Sequence, residues 1–455
     1  MTSLTQIAYS GVRASQIALS STGQNIANVN TKGFSRLQTQ TASLANNTGI
    51  GKGGGVEVNS IRRLSDNFLN QQLWRAGSVR GEHHITQQYL GALEGVMVSE
   101  GASISRGLDQ FFAALSEATT NPSSIALRQQ FLNEAGNLAQ RFNGLNSNIN
   151  AQLTALGEQR VAIVTEINGY VANLAALNQQ IVEVDSVKGD STALRDQRDS
   201  LIQELSAQVS VRVQEAQDGS VSISLPNGQP LVSGRSFGSL SIETDIAGQQ
   251  SLSLNFVDTR FSLKQSELGG NLGGLYEVEH GSLRHAQSSI QQLAEGLSQQ
   301  FAQASANSFD LNGQPGQPLF VYSPGNINQL LTVNNITAEQ VAFSDHADEV
   351  GNNQALLKML DLRNANVNIQ GVNMPIHDVY ASLLGGIASL SRQSQADYDA
   401  STALLSQAQA QRDALSAVSL DEEAVNLMTY QQAYQANMKV ISTANQIFDD
   451  MLAAF

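Results

Sequence analysis

The sequence predicts a mainly α-helical protein with a β insert. We expect an elongated, multi-domain rod of long helices or coiled coil formed by both chain ends, plus a small all-β outer domain. Three observations predict this class. Apolar and small residues recur in steps of three and four near both ends, the same rhythm continues through a long central stretch, and a middle segment alternates with period two.

Composition excludes several classes of function. The 455 residues carry a formal net charge of −15, which argues against non-specific binding to nucleic acid or to anionic lipid. The chain has no cysteine, so disulfides, thiolate metal sites and cysteine nucleophiles are excluded. No stretch is apolar enough for a membrane span, and the first residues lack the pattern of a cleavable signal peptide.

The first predicted element is a helix whose stripe consists mostly of small residues. The stripe continues to Ile26, after which NIANVNTKGFSR ends the helix with a turn at Gly33. From Phe34 to Leu64 the pattern favours a hairpin or extended segment whose flexible connection is GIGKGGG. The stripe residues form the first half of a candidate assembly interface: Leu4, Ala8, Gly11, Ser15, Ala18 and Thr22.

Helical patterning returns near Asp66, and a loop at Asn121-Pro122-Ser123 opens a run that keeps the rhythm to Ile181. If this helix is continuous, it exceeds 50 residues and spans roughly 80–90 Å at about 1.5 Å per residue. Such a length is typical of a rod and not of a compact enzyme. Ser191 is the predicted cap of a shorter helix that contains LRDQRD, where we expect surface pairs such as Arg195–Asp199.

Residues 209–264 alternate with period two between DG, PNG and GR turns, which predicts a small β insert. Helices follow at 283–306 and again from about Ile376 onward. The predicted domains are residues 1–65 with 416–455 as an inner tube domain, 66–208 with 265–415 as a helical rod, and 209–264 as the outer β domain.

The C-terminal helix carries the most regular pattern, a heptad seam from Leu420 to Phe455. Ser419 and Glu422 predict a capping box at its start. An isolated seam needs a partner helix, and the N-terminal stripe is the intramolecular candidate. Ordinary packing within one molecule and assembly with copies or neighbours both remain open on pattern alone. The seam residues in the second half of the candidate interface are Leu427, Tyr434, Met438, Ile441, Phe448 and Leu452.

The catalytic and ligand-binding patterns are weak. GRSFG around Ser236 fits a nucleophile elbow, but strand alternation follows where a helix is required. His280 and His285 miss the spacing of a helical metal pair, and GIGKGGG lacks the phosphate-loop spacing. FDLNGQPG has no EF-hand continuation and is interpreted as a turn. We therefore expect no enzyme, no metal site and no cofactor.

Several stretches carry a family resemblance. NIANVNTKGFSR resembles the N-terminal signature of axial flagellar proteins, and SLDEEAVNLMTYQQAYQANMKVISTANQIFDDML resembles their C-terminal signature. Three stretches narrow the resemblance to the hook-associated protein 1 family. They are FSR, LRDQRDSLIQELS, and GGNLGGLYEVEHGSL followed by FDLNGQPGQPLF. The sequence departs from the family pattern at three positions. Phe34 replaces the usual Tyr, and Ala417 replaces a frequent Gly. The Gln that commonly follows the Ser-Arg pair comes one position later here, as Gln38. The chain is short for this family, which implies one outer β domain.

The resemblance implies a structural role at the hook–filament junction. The expected partners are copies of the chain in a ring, the hook protein below, the next junction protein above and an export chaperone. It further implies export to the cell exterior by the flagellar type III route. Asn28, Asn30 and Gly33 are the expected hinge between the inner packed tube and the outer domains. The alternatives are another axial subunit, from the hook or distal rod, and a secreted serine hydrolase that uses Ser236.

Overall fold

The computed structural model describes residues 2–44, 54–246 and 248–453, and most of them are helical. The GIGKGGG connection lies largely outside the described residues, as does Phe455. The helices in the described part are α1 Thr2–Ala27, α2 Asn67–Val98, α3 Ile104–Ala118, α4 Ile125–Ser186, α5 Thr192–Gln208, α6 Gly270–Val278, α7 Arg284–Ala306, α8 Gln354–Asp361, α9 Ile376–Ser416 and α10 Leu420–Ala453.

Twelve strands lie in the described ranges, and all of them pair antiparallel. Six consecutive strands form one sheet in sequence order, within the predicted β insert, and six others form three two-stranded sheets. The six-stranded sheet consists of β3 Arg212–Glu215, β4 Val221–Ser224, β5 Pro230–Ser233, β6 Ser236–Thr244, β7 Gln250–Phe256 and β8 Thr259–Ser262. The pairs are β1 Leu37–Ser43 with β2 Val56–Arg63, β9 Phe320–Tyr322 with β10 Leu331–Val333, and β11 Asn366–Ile369 with β12 Val372–Pro375.

The long central helix is confirmed. α4 runs for 62 residues without a break, so it is about 93 Å long at 1.5 Å per residue. Its apolar stripe is buried along the whole length, because α3 and α7 cover one part of it and the six-stranded sheet covers another. Five phenylalanines from different elements meet beside it at ring distances of 5.1–5.9 Å: Phe111, Phe131, Phe301, Phe320 and Phe343.

Asparagine side chains on α4 attach the β elements to the rod. Asn178 donates to the carbonyl oxygens of Val221 and Gly234, both at 2.8 Å, and accepts from the Val221 N–H at 3.0 Å. Asn168 bonds both backbone groups of Leu240 in the same way. Each amide therefore satisfies backbone groups that the strand ladder leaves unpaired.

Close approach between helices explains Gly274 of GGNLGGL in α6. A Cβ at Gly274 would lie 2.5 Å from the backbone oxygen of Glu82 on α2, so a side chain there would force the helices apart. α6 continues through one π-helical turn, Glu279–Leu283, into α7. Within that turn the buried Glu279 carboxylate pairs with Arg160 of α4 and with Arg284.

α2 and α9 form an antiparallel pair that leads from the rod toward the ends of the chain. The Tyr380 hydroxyl donates to the Met97 carbonyl oxygen at 2.7 Å at one end, and Ala408 packs on Leu73 at the other. From Tyr380 to Ala408 the buried residues of α9 recur every seven positions, and toward the second end they are small, serine or alanine. This pairing therefore contains progressively less apolar packing as it leaves the main core. None of the described helices is long and apolar enough to cross a membrane.

Candidate assembly surface and hinge

α1 and α10 pack side by side with β1 and β2 and form what we call the terminal module. The two helices are antiparallel: Gly11 lies against Asn437, whereas Arg36, which follows α1, contacts Glu423 near the start of α10. A Cβ at Gly11 would lie 2.6 Å from the Asn437 Oδ1 atom, so the absence of a side chain permits the close approach.

The small-residue stripe of α1 lies inside this module. Ala8, Ser15, Ala18 and Thr22 are buried and Gly11 is half-buried, but Leu4 is 45% exposed. A neighbouring face of α1 carries the hairpin through polar contacts. The Asn25 side chain, 1% exposed, bonds both the N–H and the carbonyl of Leu37, at 2.8 and 2.9 Å.

The C-terminal seam occupies a different place from the one expected. Tyr434 and Ile441 are half-buried, whereas Leu427 and Met438 are exposed by 36% and 44%. The other α10 residues that are buried or half-buried lie on an adjacent, smaller and more polar face: Glu423, Asn426, Tyr430, Ala433, Asn437 and Ala444. The expected pairing of the two terminal helices is confirmed, since α1 packs on α10, but Leu427 and Met438 of the seam lie outside the contact. Small side chains let the backbones approach closely, and the larger apolar side chains remain outside.

The last two turns of α10 extend past the start of α1. Because Asn437 lies opposite Gly11, position 446 lies opposite Thr2, nine residues further along each helix. The segment from Ile447 to Ala453 thus has no α1 residue beside it among those described. Phe448 and Leu452 are accordingly exposed, by 50% and 62%.

The start of α10 shows half of the predicted capping box. The Ser419 hydroxyl oxygen accepts from the Glu422 N–H at 3.5 Å. The Glu422 carboxylate pairs with Arg36, and the Arg36 Nε atom lies 3.0 Å from the buried Glu423 carboxylate. Arg36 of the N-terminal signature therefore contacts the first turn of the C-terminal helix.

The three predicted hinge residues differ in their roles. Gly33 adopts a φ of +85°, in the left-handed region that favours glycine. The Asn28 amide donates to the Gln24 carbonyl oxygen at 3.0 Å, so it satisfies an acceptor in the last turn of α1. Of the three residues, only Gly33 has a positive φ. Asn30 is exposed.

The segment after Gly33 is fastened to the rod by polar contacts. The Arg412 guanidinium donates to the Gly33 carbonyl at 3.0 Å, and the Ser35 N–H donates to Asp196 at 3.2 Å. The Arg36 N–H donates to the Ser416 carbonyl at 2.8 Å. The proposed hinge is thus held in one position here.

The prediction of Arg195–Asp199 pairing within LRDQRD is wrong. Arg195 pairs with Asp185 at 2.7 Å and with Glu215 at 2.6 Å, which joins α5 to the end of α4 and to β3. Asp199 pairs with Arg63 of the hairpin. Ser191 occupies the cap position, but its hydroxyl donates to Asp185, and Asp190 accepts the Thr192 N–H. The local i, i+4 rule fails because neighbouring elements offer closer partners.

The residues considered for catalysis and ligand binding occupy ordinary structural positions. Ser236 begins β6 directly after a two-residue turn from β5, so the predicted turn between strands is confirmed and the strand–turn–helix of a nucleophile elbow is not found. His280 stacks on Tyr276 with ring centroids 4.2 Å apart. In FDLNGQPG the Asp310 carboxylate accepts the N–H groups of Asn312 and Gln314, as expected for a turn.

The combination of a module built from two distant parts of the chain, a long helical rod and a β insert defines the class of axial structural proteins of the flagellum. Residues 409–454 match the family model "Flagellar basal body rod FlgEFG protein C-terminal". Residues 90–320 match "Flagellar hook-associated protein FlgK helical domain". Because the second match covers half of the chain, the protein belongs to the flagellar hook-associated protein FlgK family, a family of structural flagellar components.

Relatives support this family over the whole chain. Flagellar hook-associated protein 1 of Salmonella typhimurium (strain LT2) is 26% identical, and the match covers 99% of this chain and 100% of the relative. The Bacillus subtilis (strain 168) protein of the same name is 24% identical, over 96% and 95%. The flagellar hook junction protein FlgK of Burkholderia pseudomallei shares the fold, with a TM-score of 0.67 and 16% identity over 76% of this chain and 99% of that one.

Proposed function

We propose that this protein assembles as a ring of copies at the distal end of the hook and links the hook to the filament. In this proposal the hook protein lies below the ring, and the next hook-associated junction protein builds on its upper surface. The names of the relatives support the location, since they are hook-associated and hook junction proteins. The role is mechanical, and we propose that no catalytic step belongs to it.

The exposed seam of α10 carries the proposal. Leu427, Met438, Phe448 and Leu452 are exposed although α10 is already packed on α1. A row of exposed large apolar side chains on one helix marks an interaction surface. Burial of each of these side chains contributes about 1 kcal/mol or more, at roughly 25 cal/mol per Å² of apolar surface. The buried α1 stripe then holds the two helices together, and the seam contacts neighbouring subunits.

The same arrangement suggests that the terminal module gains order on assembly. Among the residues that the structure describes, neither apolar core cluster includes a residue of 2–44, 54–63 or 417–453. We propose that α1 and α10 are largely disordered in the free monomer and become helical when copies and neighbours cover the seam. The β1–β2 hairpin, which Arg63 joins to α5, keeps its place in the monomer. Hydrogen exchange on the monomer tests this, and strong protection at residues 427–448 would contradict it.

The route to the assembly site is also a proposal. We propose export to the cell exterior through the flagellar type III channel, with an export chaperone covering the protein beforehand. The support is the family to which the chain belongs.

The first experiment is electron microscopy of cells that lack this gene, with flagellin measured in the medium. Bare hooks with unpolymerised flagellin in the medium support the proposal. Absent hooks would make the protein a hook or rod subunit instead, and normal filaments would refute the proposal.

Seam variants test the surface itself. Complementation with Leu427→Gln combined with Met438→Gln should leave bare hooks. Thr429→Gln, an exposed polar position off the seam on the same helix, should restore filaments. Full complementation by the double variant would refute the role of the seam. For the remote hydrolase alternative, esterase activity that Ser236→Ala abolishes would contradict a purely structural role.

A further inference from the structure

The terminal module is joined to the rod without a shared apolar core. The main cluster extends from Trp74 to Ile387, and the small satellite cluster contains Leu73, Ala76 and Ala408 with Leu405 against it. Beside the junction, a cleft of about 630 Å³ separates the segment 28–37 from α5. Apolar packing therefore does little to fix the angle between the module and the rod.

Polar contacts converge at this junction on one turn of α5. Asp196 accepts the Ser35 N–H at 3.2 Å and lies 3.2 Å from the Arg63 guanidinium, which also pairs with Asp199. These side chains are shielded from water, since Arg63, Asp196 and Asp199 are 11%, 12% and 17% exposed. One arginine at the end of β2 thus holds both acidic residues of RDQRD.

α5 itself is firmly anchored in the rod. Ile202 and Leu205 belong to the main apolar cluster. On the turn that carries the two aspartates, the Arg198 side chain, 4% exposed, donates to the Gly219 carbonyl at 2.7 Å in the turn between β3 and β4. Asp196 and Asp199 therefore keep their positions relative to the rod. When their contacts break, the terminal module is the part that moves.

We propose that Asp196 and Asp199 of α5, acting through Arg63 and the Ser35 N–H, are positioning residues that set the orientation of the terminal module relative to the rod. We call this group of four residues the α5 latch. Its consequence for assembly rests on the proposed function, because a ring requires every copy to present its terminal module at a defined angle. The latch itself is a property of the single chain, because its contacts come from the β1–β2 hairpin and the residues beside it, not from α1 or α10.

Burial makes the latch depend on Arg63. Desolvation, opposed by the Arg63 charge, raises the pKa of the Asp196 carboxyl above its ordinary value. Without Arg63 two partly buried carboxylates would face each other with reduced compensation. The module would then rotate or move away, so that water reaches both groups.

The chain allows a direct measurement of the angle. It contains no cysteine, so Glu57→Cys on β2 and Asn173→Cys on α4 add two unique sites for spin labels at exposed positions. Double electron–electron resonance on the full-length protein then gives the distribution of distances between the module and the rod. Arg63→Met and the pair Asp196→Asn with Asp199→Asn remove the latch from its two sides. Arg62→Met is the matched control, because this exposed neighbour makes no side-chain hydrogen bond or ion pair with the described residues.

Both latch variants should broaden or shift the distance distribution, and the control should reproduce the parent distribution. The unfolding midpoint of the rod, followed by circular dichroism, should stay at the parent value, since its core contains none of these four residues. A distribution unchanged in both latch variants would overturn the inference. Bare hooks with Arg63→Met and filaments with Arg62→Met would connect the latch to assembly. If the latch variants change the distances but still restore filaments, the orienting role of the latch is supported and its role in assembly is refuted.

Discussion

Replacement of Asn178 by alanine should destabilise the attachment of the β insert to α4. The side chain is 1% exposed and makes three hydrogen bonds, two to Val221 and one to Gly234. A neutral hydrogen bond contributes about 0.5–1.5 kcal/mol net, and a buried backbone group left without a partner costs about 1–3 kcal/mol. Water entry at the edge of the sheet offsets part of this, so we expect a loss of ~2–4 kcal/mol.

The matched control is Asn173→Ala, on the same helix and at an exposed position whose side chain makes no hydrogen bond with the described residues. It should change the free energy of unfolding by less than about 0.5 kcal/mol. Asn178→Asp adds a second comparison. A carboxylate keeps one acceptor for the Val221 N–H but places negative charge 2.8 Å from two carbonyl oxygens, so it should be at least as destabilising as alanine.

Urea denaturation followed by circular dichroism measures the global effect, and hydrogen exchange at the Val221 amide measures the local one. Faster exchange at Val221 in Asn178→Ala, with an unchanged rate in Asn173→Ala, is the expected result. If the two alanine variants have equal stability and equal exchange, the reasoning about side-chain amides as attachments of the sheet is refuted.

Four further variants test packing, strain and titration. Gly274→Ala should destabilise by about 1–3 kcal/mol in urea denaturation, because its Cβ would lie 2.5 Å from a backbone oxygen, whereas Gly136→Ala, in open space on α4, should stabilise by ~0.5–1 kcal/mol. Val257→Gly should raise the melting temperature, since a β-branched residue there holds a φ of +52°. Burial raises the pKa of Tyr380 to about 12, so the stability it contributes is present below pH ~10, the ordinary pKa of tyrosine, and falls as the pH rises toward 12. Tyr380→Phe should lose less stability than the parent protein over that interval.

Periodicity alone predicted the helices well, because a helix buried on one face needs apolar residues at steps of three and four along the sequence. The stripe from Phe131 to Ile181 predicts a helix of more than 50 residues, and α4 is continuous over 62. The alternating segment likewise became one six-stranded sheet. The division into domains, the assembly residues and the hinge stay predictions, since the fold alone does not test them.

Partners across the chain were harder to predict than elements. Asn178 stands within the apolar stripe of α4. A polar residue at such a position is the one sign in the sequence that a buried side-chain amide needs hydrogen-bond partners. The sequence around Asn178 does not indicate that Val221 is its partner. The pairs of Arg195 and Asp199 failed for a related reason, because a rule based on residues four apart ignores carboxylates and guanidinium groups delivered by other elements.

The position of the α10 seam likewise depends on contacts with a distant part of the chain, which periodicity does not reveal. Gly11 and Asn437 allow the backbones of α1 and α10 to approach closely, so the small faces pair and the large apolar side chains remain outside. A two-helix module with polar and small residues within and leucine, methionine and phenylalanine outside is stabilised only weakly by its own packing. The free energy that orders such a module must then come from surfaces that cover the seam. The exposed seam therefore favours assembly with neighbouring subunits. The polar latch on α5 is needed as well, because a module with no apolar core shared with the rod must hold its angle by other contacts.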